Sequence, residues 1–161
     1  MRCDLDLMLA DDTRAVSFTD FVDRFETKLR QSLTAAFGPE LGREATADAL
    51  AYGWEHWERV GRVDNPTGYL YRVGYNRALR MKPKRVRLPG VDAVRQPWIE
   101  PGLPKAFESL PEQQRIVVML LHGYEWSMSE VAEHLDVSKS TVQTHAERGI
   151  DALRRKLGVD R

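Results

Sequence analysis

Apolar residues recur at steps of three and four along most of the chain, and no stretch alternates long enough to describe a strand. Phe18, Phe21, Val22, Phe25, Leu29 and Leu33 form the first stripe, behind Ser17-Phe-Thr-Asp20, a capping box with Asp in place of Glu. This predicts an amphipathic helix from Ser17 to about Phe37, broken by Gly38-Pro-Glu-Leu-Gly42. A second helix is expected from about Arg43 to Arg59. Ala47, Leu50, Ala51, Trp54 and Trp57 are its expected buried stripe, with Asp48, Glu55 and Glu58 on the other face. Asn65 before Pro66 suits an N-cap and first helical position, opening a third helix to about Lys82. Leu70, Val73 and Gly74 can pack inward there. Tyr69, Arg72, Asn76 and Arg80 share another face, which holds no acid.

Periodicity then lapses. Six of the eight prolines lie between Pro83 and Pro111, and residues 83–103 read as an extended linker with one aromatic, Trp98. Beyond it a second set of helices is densely signalled. Lys105 to Leu110 makes a turn or two. Ser109-Leu-Pro-Glu112 and Ser127-Met-Ser-Glu130 both have the form of capping boxes. Ile116, Val117, Leu120 and Leu121 form a stripe ended by Gly123. Ser138 can cap a last helix whose apolar face is Val142, Ala146, Ile150, Leu153 and Leu157. The expected fold is all-α: a tail over residues 1–16, a helical bundle over 17–82, the linker, and a helical module over 104–161.

Composition narrows the class. With 42% hydrophobic and 30% charged residues the chain is globular, and no apolar run approaches the ~20 residues a bilayer requires. The amino terminus has too many Asp residues for a secretory signal, so a cytoplasmic protein that meets no membrane is expected. Cys3 is the one cysteine, and His56, His122, His134 and His145 lack ligand spacing. His134 and His145 read as solvated helix positions. No metal or cofactor is expected. Nor is an enzyme, since no phosphate loop, zinc-helix motif or nucleophile elbow is present. Net charge is zero, yet residues 70–95 hold eight basic side chains against Asp92 alone. Such a block suits phosphate or acidic partners.

The carboxyl-terminal helices carry the clearest chemistry. A helix-turn-helix needs a small residue where its helices cross, a tight turn, and a capped second helix with an exposed N-terminal half. Ala132, Asp136-Val137-Ser138, and Lys139 onward supply these. The exposed positions expected to face DNA are Lys139, Ser140, Thr141, Gln143, Thr144 and Arg148. Short hydroxyls suit phosphates, Gln143 can pair with adenine, and Arg148 can reach a phosphate. Residues 138–150 hold only two basic side chains against Glu147, so this helix alone should bind weakly.

Both modules together resemble a bacterial sigma factor of the extracytoplasmic-function group. "LPEQQRIVVMLLHGYEWSMSEVAEHLDVSKSTVQTHAERGIDALRRKLG" is similar to sigma region 4, and "DNPTGYLYRVGYNRALR" to the end of region 2, through Tyr69, Leu70, Tyr71, Arg72 and Asn76. The resemblance implies a non-enzymatic specificity subunit that binds core RNA polymerase and promoter DNA. An anti-sigma factor is a further implied partner. Tyr69, Arg72, Asn76, Arg77 and Arg80 would face the minus-ten strand, and the loop Val60 to Asn65, with Asp64 and Asn65, would shape a pocket for an extruded base. Region 4 would read the minus-35 duplex, and the linker would thread toward the RNA exit path. Asp48 and Glu55 would meet the polymerase clamp. Of the acidic run usual there, "ADALA" (Ala47 to Ala51) keeps only Asp48. Tethering to a polymerase-bound first module raises the effective concentration of a weakly basic reader.

Two other readings stay open. The last helices also resemble those of a stand-alone LuxR-type regulator, which would bind palindromic duplex without polymerase. A degenerate sigma acting as a protein-interaction adaptor would not need Arg72 and Arg80.

Overall fold

The computed structural model describes residues 2–81 and 100–159 and, for residues 2–13 and 16, the backbone alone. Among the described residues all regular structure is helical. The elements are α1 (Arg2–Phe37), α2 (Pro39–Glu55), α3 (Trp57–Val60), α4 (Pro66–Arg80), α5 (Leu103–Glu108), α6 (Glu112–Val118), α7 (Met128–Leu135) and α8 (Lys139–Leu157). A π-helical turn, Met119–Gly123, continues α6. No described helix is long and apolar enough to cross a membrane. Residues 82–99, with Trp98, Lys84, Arg85, Arg87, Arg95 and most of the expected linker, lie outside the described residues, as does the side chain of Cys3.

Several boundaries differ from expectation, each for a local reason. The helix expected from Ser17 already begins at Arg2. Ser17 therefore lies inside α1, where its hydroxyl accepts a hydrogen bond from Trp57 Nε1 at 3.2 Å instead of capping. Gly38, at φ 86°, is the whole break between α1 and α2, because Pro39 fits the first helical turn and needs no N–H there. The second helix stops at Glu55, and His56 separates it from the single turn α3. Ser109 does not cap α6. Its hydroxyl turns back to the carbonyl of Ala106 at 2.6 Å, and Pro111 stands at the N-cap. Asn65, Ser127 and Ser138 do cap as expected, each accepting from a backbone N–H three residues on. Ser127 and Glu130 complete the reciprocal box.

The buried face of α2 is also rotated from the expected stripe. Ala47, Ala51 and Trp54 are exposed, whereas Gly42, Ala45, Thr46, Ala49 and Gly53 are buried. Close helix crossing decides this. A Cβ on Gly42 would stand 2.7 Å from Thr34 Cα, and one on Gly74 of α4 would stand 2.9 Å from the carbonyl oxygen of Ala45. Backbones that near admit only small side chains, so Trp54 turns outward while Leu41, Leu50 and Tyr52 pack half-buried at the edge of the core. Trp57 alone of the expected aromatics is buried, against Phe18 and Phe21.

One core runs through both halves of the chain. Leu29, Leu33 and Leu70 from the amino-terminal helices join Ile116, Leu120, Val131 and Val142 from the carboxyl-terminal ones. Each is buried completely, contributing about 2 kcal/mol by removal from water. A smaller cluster, Ala106, Leu110, Val118 and Leu153, closes the far side of the carboxyl-terminal helices. The sequence reads as two modules held by a linker. In the structure α7 and α6 lie directly on α1 and α4.

Candidate nucleic-acid interface

Helix α8 presents the first candidate surface. Its burial follows from sequence: Val142, Ala146 and Leu153 face the core, which turns Lys139, Ser140, Gln143, Thr144 and Arg148 into solvent, with Thr141 half-buried. Ser138 sits extended at φ −72° and ψ 155°, and its oxygen takes the N–H of Thr141 at 3.1 Å. Ser140 and Thr141 both lie within hydrogen-bond reach of that oxygen. Thr144 donates to the carbonyl of Ser140 at 2.9 Å, and Gln143 donates to Glu147 at 2.8 Å. Gln143 is thus held along the helix axis by an acid one turn away. Exchange of that acid for a base edge frees its amide.

The turn before α8 is made by Asp136, at φ 55° and ψ 50°. Asp is one of the few residues that enters this left-handed region at modest cost. Its N–H satisfies α7 carbonyls, and Ala132 is buried where the two helices cross. Caps, turn and small residue all stand where a helix-turn-helix requires them.

Helix α4 presents the second surface. Arg72, Asn76 and Arg80 are exposed, and Tyr69 is half-buried with its hydroxyl 3.3 Å from that of Tyr52. That hydrogen bond raises the Tyr69 pKa above its ordinary value. Arg77 turns away from the others. It lies over the Tyr52 ring at 5.6 Å and donates to the carbonyl of Asp48 at 3.2 Å, so it braces α4 on α2. Asp64 is exposed in the loop before α4, and Asn65 is half-buried beside it. Asp48 and Glu55 stand two turns apart on α2. The exposed Ala47, Ala51 and Trp54 lie near them.

The residues foreseen at the two surfaces do not converge on one site. What joins them is a third set that pattern reading missed. Arg72 forms an ion pair with Asp136, and Asn65 Nδ2 donates to the carbonyl of Glu133 at 2.8 Å. Lys28 pairs with Glu130, which is thereby held near pKa 2, with help from Ser127. Trp126 Nε1 donates to Gln31 at 2.8 Å, and the Lys28 ammonium lies 5.3 Å from the Trp126 ring. The Tyr75 hydroxyl donates to Glu112, at 2.8 and 2.9 Å to its two oxygens, and burial with this bond pushes its pKa to about 12. Arg115 is buried and donates to the carbonyl of Ala36 at the end of α1.

His134, expected in solvent, is buried in the middle of this set. Its Nε2 lies 2.8 Å from Ser32 Oγ. The Ser32 hydroxyl donates its one proton to the carbonyl of Leu29 at 2.8 Å, so the imidazole nitrogen must be the donor. Tyr71 and Trp126 flank the ring at 5.0 Å. Burial, aided by the Lys28 charge, lowers its pKa to about 4. His134 looked solvated because it follows Glu133 on a short helix whose α1-facing side could not be foreseen. Only the tertiary contact reveals it.

Comparison with known proteins identifies the carboxyl-terminal part. Residues 103–153 match the family Sigma-70, region 4. The fold is similar to that of a solved chain, the sigma factor RpoE in complex with the anti-sigma factor NepR from Bartonella quintana. That similarity has 16% sequence identity and a TM-score of 0.59, and covers 89% of this chain and 98% of the other. No curated protein matches the sequence. The family match bears out the region 4 resemblance of the carboxyl-terminal helices, and the shared fold bears out the all-α expectation.

Proposed function

We propose that this chain is a sigma factor of the extracytoplasmic-function kind that directs core RNA polymerase to specific promoters in the cytoplasm, a reading supported by its region 4 match and its fold. The carrying observation is the capped helix α8, which stands at the second position of a helix-turn-helix inside the region 4 match with its N-terminal half in solvent. In this reading Lys139, Ser140, Thr141, Gln143, Thr144 and Arg148 read the minus-35 duplex in the major groove. Tyr69, Arg72, Asn76 and Arg80, with Asp64 and Asn65 in the preceding loop, hold the unpaired minus-ten strand. An aromatic ring followed by donors on one acid-free face suits single-stranded DNA. Arg77 braces α4 from behind. Asp48 and Glu55 meet the polymerase clamp beside the apolar surface of Ala47, Ala51 and Trp54.

The structural likeness over 89% of the chain favours this reading over a LuxR-type regulator, since it includes the amino-terminal helices. Run-off transcription with core polymerase tests it. The protein is expected to bind core and start transcripts at promoters from its own genome. R72A/R80A should lower initiation roughly tenfold or more, from two lost phosphate contacts. Unchanged initiation by that variant removes Arg72 and Arg80 from the minus-ten grip, whereas core binding without initiation by the wild type favours the adaptor reading. Absence of both core binding and initiation in the wild type defeats the sigma reading.

A further inference from the structure

The exposed face of α8 that the proposed function sets against the minus-35 duplex carries an acid, Glu147. We infer that Glu147 is a specificity-determining residue of that surface: its carboxylate requires a base that presents an amine, adenine or cytosine, on the strand it faces.

Packing fixes the placement. Val142 and Ala146 are buried, and a Cβ on Gly149 would stand 2.6 Å from Val118 Cγ2, so α8 lies close on α6 and is not free to roll. Gln143, Thr144, Glu147 and Arg148 therefore leave on one side, all exposed. Between Val137 and Ile150 the sequence holds no other acid. The hydroxyls of this face are engaged with the helix itself. Thr144 donates to the carbonyl of Ser140, and Ser140 and Thr141 gather around the Ser138 oxygen. Beyond them reach Gln143 and Glu147, joined at 2.8 Å from Gln143 Nε2 to Glu147 Oε1.

Docking on a duplex exchanges that bond. An adenine edge takes both the amide donor and the amide oxygen of Gln143. Glu147 then stands in the groove, between phosphates, with an oxygen whose donor has turned away. A carboxylate can only accept, and an ionised acceptor without a donor is costly where water is displaced. The donors that bases show in the major groove are the adenine N6 and cytosine N4 amines. Guanine and thymine show oxygens, which repel the carboxylate. Each base pair presents one amine there, so Glu147 reads which strand carries it. Residues four apart on a helix are separated by ~6 Å along its axis, against ~3.4 Å per base pair. The base in question therefore lies about one or two steps from the adenine of Gln143. The anion also weakens binding to every sequence alike, and a correctly placed amine offsets that loss while a keto oxygen adds to it.

This inference rests on the assignment of α8 to the minus-35 duplex, and its test separates the two. Holoenzyme assembled from the full chain and core polymerase is offered a library of fully randomised duplex DNA, and the bound fragments are sequenced. Wild type, Q143A, E147A and E147Q are compared, with affinity for the unselected library read by fluorescence anisotropy. Q143A marks the base that Gln143 reads. At a neighbouring position the wild type should favour adenine or cytosine over guanine or thymine about tenfold. E147A should bind the unselected library roughly threefold more tightly, lose that preference, and keep the adenine preference marked by Q143A. E147Q is isosteric and still accepts from Gln143, but its amide accepts from an amine and donates to a keto oxygen equally well. It should flatten the preference to about twofold or less, and it carries the comparison if E147A folds poorly. Absence of the preference in the wild type overturns the inference. So does tighter binding by E147A with every base preference unchanged, which makes Glu147 a solvated acid and leaves α8 standing as the reader. If the wild-type holoenzyme enriches no sequence and starts no transcript, the proposed function and this reading of α8 fall together.

Discussion

Mild acid should loosen this protein through His134. The neutral imidazole is buried between Ser32, Tyr71 and Trp126, with its pKa lowered to about 4 from an ordinary 6.5. The charged groups facing it are Lys28 from α1 and Glu130 on its own helix, while Tyr71 from α4 stays protonated because burial raises its pKa. Between pH 6.5 and 4 the unfolded chain binds a proton at this site and the folded chain does not. Stability therefore rises with pH across that window, is fully present above it, and is lost as pH falls through it. The slope reaches about 1.4 kcal/mol per pH unit, so a fall from pH 7 to pH 5 should cost about 2 kcal/mol. Urea unfolding at the two pH values, followed by tryptophan fluorescence, measures this. H134Q keeps a donor for Ser32 and removes the titration. Its loss between pH 7 and pH 5 should be smaller by about 2 kcal/mol, and His56, His122 and His145 cancel because both proteins carry them. Glu130 does not confuse the result. Its carboxylate, held near pKa 2, adds stability that is present above its ordinary value of 4.5 and lost only below. Equal acid losses in the two proteins would refute the assignment of His134 as the buried neutral group.

Other perturbations probe the packing and caps. G42A should destabilise by roughly 2–3 kcal/mol in thermal unfolding, because the added methyl meets the Thr34 backbone at 2.7 Å and neither helix can yield cheaply. S138A should cost about 1 kcal/mol of stability from the lost N-cap of α8 and weaken duplex binding with it, as measured by denaturation and by gel shift on promoter DNA. Y75F leaves the Glu112 carboxylate without its phenolic donor. It should cost about 1–2 kcal/mol, with the effect persisting in high salt because the bond is half-buried rather than a surface ion pair.

Helices with a cap and an aliphatic stripe were legible from sequence alone. α4, α7 and α8 start where Asn65, Ser127 and Ser138 say they should, and their local hydrogen bonds are those the residue types demand. The exposed face of α8 was legible for the same reason, since Val142, Ala146 and Leu153 leave only one outward side. The face of α2 was not. Reading large apolar residues as buried fails for Trp54, where helices cross at backbone contact, because Gly42, Ala45 and Ala49 carry no hydrophobic pattern strong enough to compete with it. Pattern also says nothing of contacts such as Lys28 with Glu130, made over 102 positions by residues each of which looks solvated on its own helix.

Those unreadable contacts bear on the charge problem that the sequence poses. A reader helix with two cations needs help, and tethering supplies it only if the other module can grip DNA. Arg72 and Asn65 are already satisfied by α7, so on the proposed function a strand engages either only with the loss of a bond. On the proposed function, α8 alone then binds duplex weakly, and initiation needs both surfaces engaged at once.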